Sequence, residues 1–107
     1  MLYKFKSKDS ADVIMLGPAG DHLLNVLGRA PGAKGIVDVS DLPAAMLALE
    51  RAIADDEAAW AQVQADAKAD GKPLPTRNGV TLRQRAWPVL EMMRSAHAHQ
   101  HPVMWGD

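Results

Sequence analysis

The chain contains 107 residues, of which 48% are apolar and 23% are charged, and its formal net charge at pH 7 is −1. This length and composition are ordinary for one globular domain, so we expect residues 1–107 to form a single domain. The sequence contains no cysteine, which excludes disulfides, cysteine-bound zinc and a thiol nucleophile and favours a cytoplasmic location.

The charges are distributed unevenly along the chain. Residues 36–66 contain seven acidic residues and one basic residue, whereas the segments on either side are mildly basic. This pattern suits contact between one face of the protein and another and provides no continuous basic stripe, so we expect no nucleic-acid partner. The N-terminal residues lack the apolar core of a signal peptide, and no apolar run approaches a membrane span, so we expect no membrane association.

The first two predicted elements are β-strands that pair as a hairpin. In residues 2–6, Tyr3 and Phe5 alternate with lysines, which is the period of a half-buried strand. Residues 12–16 end in a continuous apolar run. Such a run predicts a central strand that is covered on both faces.

Helices are expected near residues 21–28, 41–69 and 82–98. In the first, apolar residues follow a glycine- and proline-containing break in the chain. The third is the best marked, because Thr81 followed by Gln84 is the signature of a capping box. It also carries the densest apolar periodicity in the sequence, so we expect one of its sides to face the core.

Two further strands are expected to complete the sheet. Residues 102–106 form the last strand, with Val103 and Trp105 on one face, and residues 36–39 are a candidate for a short strand. The predicted fold class is therefore α+β, with a small, mainly antiparallel sheet packed on helices.

The second helix is longer than a compact domain of this size needs. Apolar residues recur in it at steps of three and four, in a seam that is interrupted at Asp56. At about 1.5 Å per residue this helix is about 45 Å long, so we expect its second half to pack against a second subunit. The alternative is an amphipathic helix that is broken or frayed beyond Trp60 and covers only its own sheet. The seam consists of Leu42, Met46, Leu49, Ile53, Trp60, Val63 and Ala67.

An arginine-rich flank of the third helix is the first candidate binding site. On a helical wheel Arg83, Trp87 and Arg94 lie on one side of the apolar arc, and Arg85 lies across it. Guanidinium groups match carboxylates and phosphates, so this group, with Trp105 of the last strand, is a candidate surface for an anionic ligand or partner. The other interpretation, which we favour, is that the arginines pair with the acidic second helix, within one chain or across a dimer.

A run of three histidines is the second candidate site. If His97, His99 and His101 are extended, their imidazoles project on one side, a spacing that can ligate zinc, nickel or copper. If the run is helical, His97 and His101 are four residues apart, although Pro102 disfavours helical backbone at His101. The other interpretation, which we favour, is a histidine at the helix end followed by exposed loop histidines, with no metal.

Several motifs along the chain are together characteristic of one family. On these motifs the chain resembles the bacterial domain-of-unknown-function family 1840 over essentially its whole length. The resemblance implies a cytoplasmic protein of a Gram-negative bacterium and implies no reaction, cofactor or catalytic residue. The resemblance does not include the histidine run. The motifs are Met-Leu-Tyr-Lys-Phe-Lys-Ser at the N-terminus, Asp-Val-Ile-Met-Leu from residue 12, Pro-Gly-Ala-Lys-Gly-Ile from residue 31, Leu-Arg-Gln-Arg-Ala-Trp-Pro from residue 82, and Trp-Gly from residue 105.

The function that we predict from the sequence is interaction. No catalytic constellation is evident, because Ser95 and His97 do not face each other on a helix and no glycine-rich oxyanion loop accompanies them. We expect a small interaction or regulatory module that self-associates as a homodimer and uses no cofactor. The alternative is a small-ligand- or metal-binding protein that uses the histidine run or the arginine-rich flank.

Overall fold

A computed structural model of the chain describes residues 2–32, 34–77 and 79–106. The α+β class predicted from the sequence is confirmed, and each predicted helix and strand is present. A short 3-10 helix at Val39–Asp41 precedes the second α-helix. The order of the other elements is β1 (Leu2–Ser7), β2 (Ser10–Leu16), α1 (Gly17–Val26), β3 (Gly35–Val37), α2 (Leu42–Ala69), α3 (Leu82–Ala98) and β4 (Val103–Trp105).

The strands form a sheet in the order β2-β1-β4-β3, and neighbouring strands are antiparallel. β1 and β2 pair as the predicted hairpin, with Tyr3 opposite Met15. β4 pairs with the other side of β1, so β2 is an edge strand. The prediction of a central strand covered on both faces is therefore wrong, since Ile14 is 59% exposed and Leu16 is 67% exposed. An apolar run does not by itself specify strand order. Here β4, from the other end of the chain, pairs with β1 and leaves β2 at the edge of the sheet.

The helix boundaries differ from the prediction mainly at α1. This helix begins at Gly17, whereas the sequence predicted a break there and a helix from residue 21. Pro18 fits in the first turn because the N–H that proline lacks has no helical partner at that position. α2 continues to Ala69, so the alternative of a helix broken beyond Trp60 is wrong.

The start of α3 follows the sequence signal closely. The N–H of Gln84 donates to Oγ1 of Thr81 at 3.2 Å, and the N–H of Thr81 donates to Oε1 of Gln84 at 2.9 Å. These bonds form the predicted capping box, which satisfies two amides at the helix start. None of the helices in the described ranges combines the length and hydropathy of a membrane-spanning segment.

The hydrophobic core lies between the sheet and the helices. α1 and α3 pack on the inner face of the sheet, and α2 packs mainly on α3. On the inner face the rings of Tyr3, Phe5 and Trp105 form a row, in which successive ring centroids are 6.3 Å apart. Around this row the helices bury Leu23, Leu24, Leu42, Ala45, Leu49, Ile53, Ala86, Val89, Leu90, Met92, Met93 and Ala96.

Two glycines let the backbone lie directly against this aromatic row. A Cβ atom at Gly20 of α1 would lie 2.0 Å from Cδ2 of Tyr3, and one at Gly35 of β3 would lie 1.9 Å from Cζ2 of Trp105. Unbonded carbon atoms prefer separations of about 3.5–4.0 Å. Any side chain at either position therefore forces the ring or the backbone to move.

The hydroxyl of Tyr3 connects β1 to α1. It donates a hydrogen bond to the carboxylate of Asp21, and the ring itself is buried. This bond raises the pKa of Tyr3 above its ordinary value, and burial and the negative charge of Asp21 act in the same direction because they disfavour the phenolate.

The substitution Gly20→Ala is expected to destabilise the fold by about 2 kcal/mol. Overpacking against Tyr3 costs about 3 kcal/mol, and the better helix propensity of alanine offsets about 1 kcal/mol of this cost. Urea unfolding of the variant measures the loss. The matched control is Gly32→Ala, where the nearest heavy atom is 4.0 Å from the new Cβ and stability should change by less than about 0.5 kcal/mol. Equal stabilities of the two variants contradict the packing described for Tyr3.

Tyr3 is also expected to ionise above the ordinary tyrosine pKa of about 10. It is the one tyrosine in the sequence, so the ultraviolet absorbance of phenolate follows this residue alone. Because the folded-state pKa is raised, the stability that this group contributes is complete below the unfolded-state pKa and is lost as the pH rises through the folded-state value. In Asp21→Asn the ionisation midpoint should move back towards 10. A wild-type midpoint at the ordinary value contradicts the bond.

Candidate functional site

The face of the sheet opposite the helices, which we call the outer sheet face, exposes large apolar side chains on every strand. Leu2 is directly opposite Leu16, and Ile36 is directly opposite Met104, so apolar groups meet across neighbouring strands. Contiguous exposed apolar patches mark interaction sites more often than isolated apolar residues do. The outward side chains are Leu2, Lys4, Lys6, Asp12, Ile14, Leu16, Ile36 and Met104.

Two lysines occupy the middle of the outer sheet face. Lys4 is opposite Ile14 and Lys6 is opposite Met104, and both lysines are half-buried. Within residues 2–32, 34–77 and 79–106 neither lysine forms a salt bridge. Asp12 contributes a carboxylate at the edge of the face. The outer sheet face is therefore apolar with an excess of positive charge.

A cleft of about 530 Å³ opens on the outer sheet face where β4 and β3 meet. Lys6 and Lys34 provide its charged groups, Ile36 and Met104 provide apolar surface, and Gly106 adds no side chain to fill it. The cleft is shallow and open to solvent. Its composition suits a partner surface that carries both apolar and acidic side chains.

The second half of α2 extends beyond the hydrophobic core. Ile53 is the last buried residue of this helix, and we call residues 54–69 the helical arm. At about 1.5 Å per residue the helical arm is about 24 Å long, and it belongs to a molecule that measures 51 × 28 × 23 Å. On the helical arm Trp60 is half-buried and Val63 is 48% exposed. The apolar seam of α2 therefore continues past the part that its own fold covers.

Arg77 makes one of the contacts that hold the base of the helical arm. The guanidinium of Arg77, from the segment after α2, lies 2.5 Å from the carboxylate of Asp56 and 5.5 Å from the ring centroid of Trp60. This geometry combines an ion pair with a cation–π contact. It explains why Asp56 interrupts the apolar seam, and it leaves Val63 exposed.

The arginine-rich flank is present on α3 as a cluster around Trp87. The guanidinium carbon of Arg83 is 5.4 Å from the ring centroid of Trp87, and that of Arg94 is 5.1 Å from it. We call these three residues the Trp87 cluster. The indole is exposed between the two cations, beside a surface cleft that Gln84 and Pro88 complete.

The arginines of the Trp87 cluster pair with α2 within one chain. Arg83 forms two hydrogen bonds to Glu57, from Nε at 3.1 Å and from a terminal nitrogen at 2.8 Å. Arg94 donates to Glu50 at 3.3 Å. The bond from Arg83 lowers the pKa of Glu57, and the same pairing raises the pKa of Arg83. These contacts hold α3 against α2. They also engage the guanidinium groups that were predicted from the sequence as candidates for ligand binding.

The structure does not bring the two other candidate binding residues into the Trp87 cluster. Arg85 borders a separate surface cleft with Leu16 and His22. Trp105 lies buried in the aromatic row, where no described residue accepts a hydrogen bond from its indole N–H. The predicted binding residues therefore lie in three different places.

The three histidines have three different environments. His97 lies in the last turn of α3, and His99 is the residue that caps it. Gln100 adopts a φ of 58°, and the N–H of His101 donates to the oxygen of Ala96 at 2.8 Å, which ends the helix in a Schellman motif. The run is thus neither one extended segment nor one helix. Within the described residues no group of three or more histidine and carboxylate side chains is placed to hold a metal ion.

The chain reversal after α3 produces a contact that the sequence did not indicate. Nδ1 of His101 lies 2.9 Å from the carboxylate of Asp9, in the turn between β1 and β2. Nδ1 of His99 lies 3.9 Å from the same carboxylate and 2.8 Å from the oxygen of Ser95. Because Asp9 and His101 lie far apart in the sequence, no local pattern relates them. The outer sheet face was not predicted from the sequence either. A signal for it was present in β2, where the exposed Ile14 and Leu16 alternate with the buried Met15.

These surfaces belong to a two-layer α+β protein with one open sheet face, an architecture that by itself specifies no function. The family model described as "Domain of unknown function (DUF1840)" matches residues 1–105, so the chain belongs to that family, as the sequence motifs predicted. No curated protein and no solved structure matches the chain.

The pairing of Glu57 with Arg83 predicts a pH-dependent effect of Glu57→Gln. Because the folded-state pKa of Glu57 is lowered, its contribution to stability is present above its ordinary pKa and is lost as the pH falls through the folded-state value. We expect the variant to be slightly less stable than the wild type at about pH 7 and equally stable at about pH 2. Urea unfolding at both pH values measures this difference.

The control for this prediction is Asp55→Asn, which removes a neighbouring charge on α2 that forms no salt bridge with the described residues. At neutral pH this variant should lose less stability than Glu57→Gln does. A loss in Glu57→Gln that is the same at both pH values contradicts the ion pair as its cause.

Proposed function

We propose that the chain is a small interaction module that works as a homodimer and uses the outer sheet face as its main contact surface. Antiparallel sheets with one face in water ordinarily place polar residues on that face. Here the outward positions of all four strands include exposed apolar side chains, and this observation carries the proposal. These side chains are Leu2, Ile14, Leu16, Ile36 and Met104.

The size of this apolar surface is appropriate for reversible association. Complete burial of a large apolar side chain contributes about 2 kcal/mol, so five that are about half exposed contribute about 5 kcal/mol per face. Two such faces in a dimer contribute about 10 kcal/mol. Association costs about 4–15 kcal/mol in lost freedom, so burial of the sheet faces offsets a cost of the same size. Further contacts then determine the affinity.

The charge distribution favours a second copy as the partner. The outer sheet face carries Lys4 and Lys6, which form no salt bridge with the described residues, whereas residues 36–66 are strongly acidic. One chain therefore provides two surfaces of opposite charge, which supports self-association. The cytoplasm of a bacterium remains our prediction for its location, and a regulatory role remains our prediction for the module.

The alternative of a small-ligand or metal-binding protein receives less support. Arg83 and Arg94 already pair with carboxylates of α2, so a ligand has to displace those contacts. The histidine run is divided between the end of α3 and the turn that contains Asp9. Both alternatives remain predictions of the sequence.

Self-association is tested by native mass spectrometry and analytical ultracentrifugation of tag-free protein over a dilution series. We expect a dimer of twice 11.6 kDa that dissociates reversibly on dilution. The substitution Ile14→Glu places a charge on the outer sheet face and should raise the dimer Kd at least about tenfold.

The matched control is Leu47→Glu, because Leu47 is 48% exposed but lies on α2 before the helical arm. This variant should dimerise as the wild type does. A wild type that is monomeric at every concentration contradicts the proposal, and so does an unchanged Kd in Ile14→Glu.

A further inference from the structure

We infer that two copies pair by exchanging their helical arms. In this arrangement the helical arm of each copy lies across the outer sheet face of the other. The inference rests on the proposed self-association and identifies the surface that covers the sheet. Each protomer leaves two surfaces uncovered, which are the outer sheet face and the exposed side of the helical arm. A symmetric dimer with exchanged arms buries both of these surfaces in each copy.

The dimensions of the two surfaces are compatible. Neighbouring strands lie about 4.8 Å apart, so the four-stranded sheet is about 15 Å wide at its backbone. The helical arm is about 24 Å long, which is enough to cross all four strands. Helices of the same chain already cover the inner face. A partner's helix on the outer face completes a three-layer arrangement in which the sheet is covered on both sides.

The helical arm carries a suitable stripe for such a contact. Ala59, Val63 and Asp66 of the helical arm, and Asp70, which caps its C-terminal end, recur at steps of four, three and four and therefore lie on one side of the helix. Small and apolar side chains on this stripe allow close approach to the sheet. Its two carboxylates form no salt bridge with the described residues of their own chain.

The charges favour arm exchange over two simpler dimers, in which either the two outer sheet faces or the two helical arms pack on each other. Packing of one outer sheet face on another places Lys4 and Lys6 of both copies in the same interface, where Asp12 is the acidic group available on each face. Packing of one helical arm on another brings Asp66 groups together and leaves both sheets uncovered. Arm exchange instead places Asp66 and Asp70 against lysines that have no salt bridge within the described residues.

Two single substitutions separate these arrangements. Ile14→Glu changes the sheet surface, and Val63→Glu changes the helical arm. If the helical arms are exchanged, each variant alone loses both reciprocal contacts, and the Kd of each should rise at least about tenfold. Leu47→Glu again serves as the control, because Leu47 and Val63 are equally exposed at 48% on the same helix. Circular dichroism of each variant verifies that it is folded.

Mixing the two variants provides the decisive measurement. In a mixed dimer the unaltered helical arm of the Ile14→Glu chain meets the unaltered sheet of the Val63→Glu chain, so one of the two contacts is intact. The variants differ in mass, and native mass spectrometry distinguishes mixed dimers from both homodimers. We expect mixed dimers to predominate at concentrations where neither variant dimerises alone.

Cysteine cross-linking gives an independent measurement, because the sequence contains no cysteine of its own. Chains with Ile14→Cys are mixed with chains that carry Val63→Cys and are oxidised. Random pairing of equal amounts makes half of the disulfides mixed, so we expect the mixed disulfide to form well over half of the cross-linked dimers. A predominance of Ile14→Cys homodimers indicates sheet-to-sheet packing and overturns the inference, and a predominance of Val63→Cys homodimers indicates arm-to-arm packing and also overturns it.

The Kd measurements distinguish an error in the proposed arm exchange from an error in the proposed self-association. If Val63→Glu dimerises like the wild type while Ile14→Glu does not, the outer sheet face is an interface and arm exchange is wrong. If neither variant changes the Kd of a dimeric wild type, both the sheet interface and arm exchange are wrong. A wild type that remains monomeric at all concentrations overturns both proposals.

Discussion

The row formed by Tyr3, Phe5 and Trp105 lies at the centre of the contact between the sheet and the helices. The sequence has five aromatic residues, and this row places three of them on one face of a four-stranded sheet. Large aromatic rings account for much of the area that a small core buries. Because Gly20 and Gly35 have no side chains, α1 and β3 approach the rings closely. The row thereby joins both ends of the chain to its first helix and to an edge of the sheet.

The helices are held to one another partly by ion pairs, and their alignment leaves the end of α2 exposed. α2 packs mainly on α3, and the ion pairs of Glu57 with Arg83 and of Glu50 with Arg94 fasten the exposed side of this packing. Exposed ion pairs contribute little to stability but restrict how two helices are aligned. Since α2 is longer than α3, this alignment leaves residues 54–69 beyond the core. The proposed homodimer and its arm exchange follow from that unequal length and from the open face of the sheet.

Local patterns in the sequence predicted most of the elements but few of the contacts. The alternation in β1, the capping box of α3 and the apolar seam of α2 each arise from neighbouring residues, so the sequence contains them directly. The Trp87 cluster was also foreseeable, because Arg83 and Trp87 are four residues apart on one helix. By contrast, the binding site predicted from that cluster, Arg85 and Trp105 is divided. Arg85 borders a separate cleft, as its position across the apolar arc of α3 indicates, whereas Trp105 is buried in the core, which spacing along α3 does not predict.

The amino-acid sequence alone was enough to predict the fold class, the family and the approximate bounds of the helices and strands. The folded structure was needed to show that β4 lies beside β1, which makes β2 an edge strand and leaves Ile14 and Leu16 exposed. It also showed that His101 meets Asp9. The physical reason is that turns, caps and amphipathic periods depend on residues a few positions apart. Strand order and contacts between distant residues depend instead on how all the apolar faces are buried together.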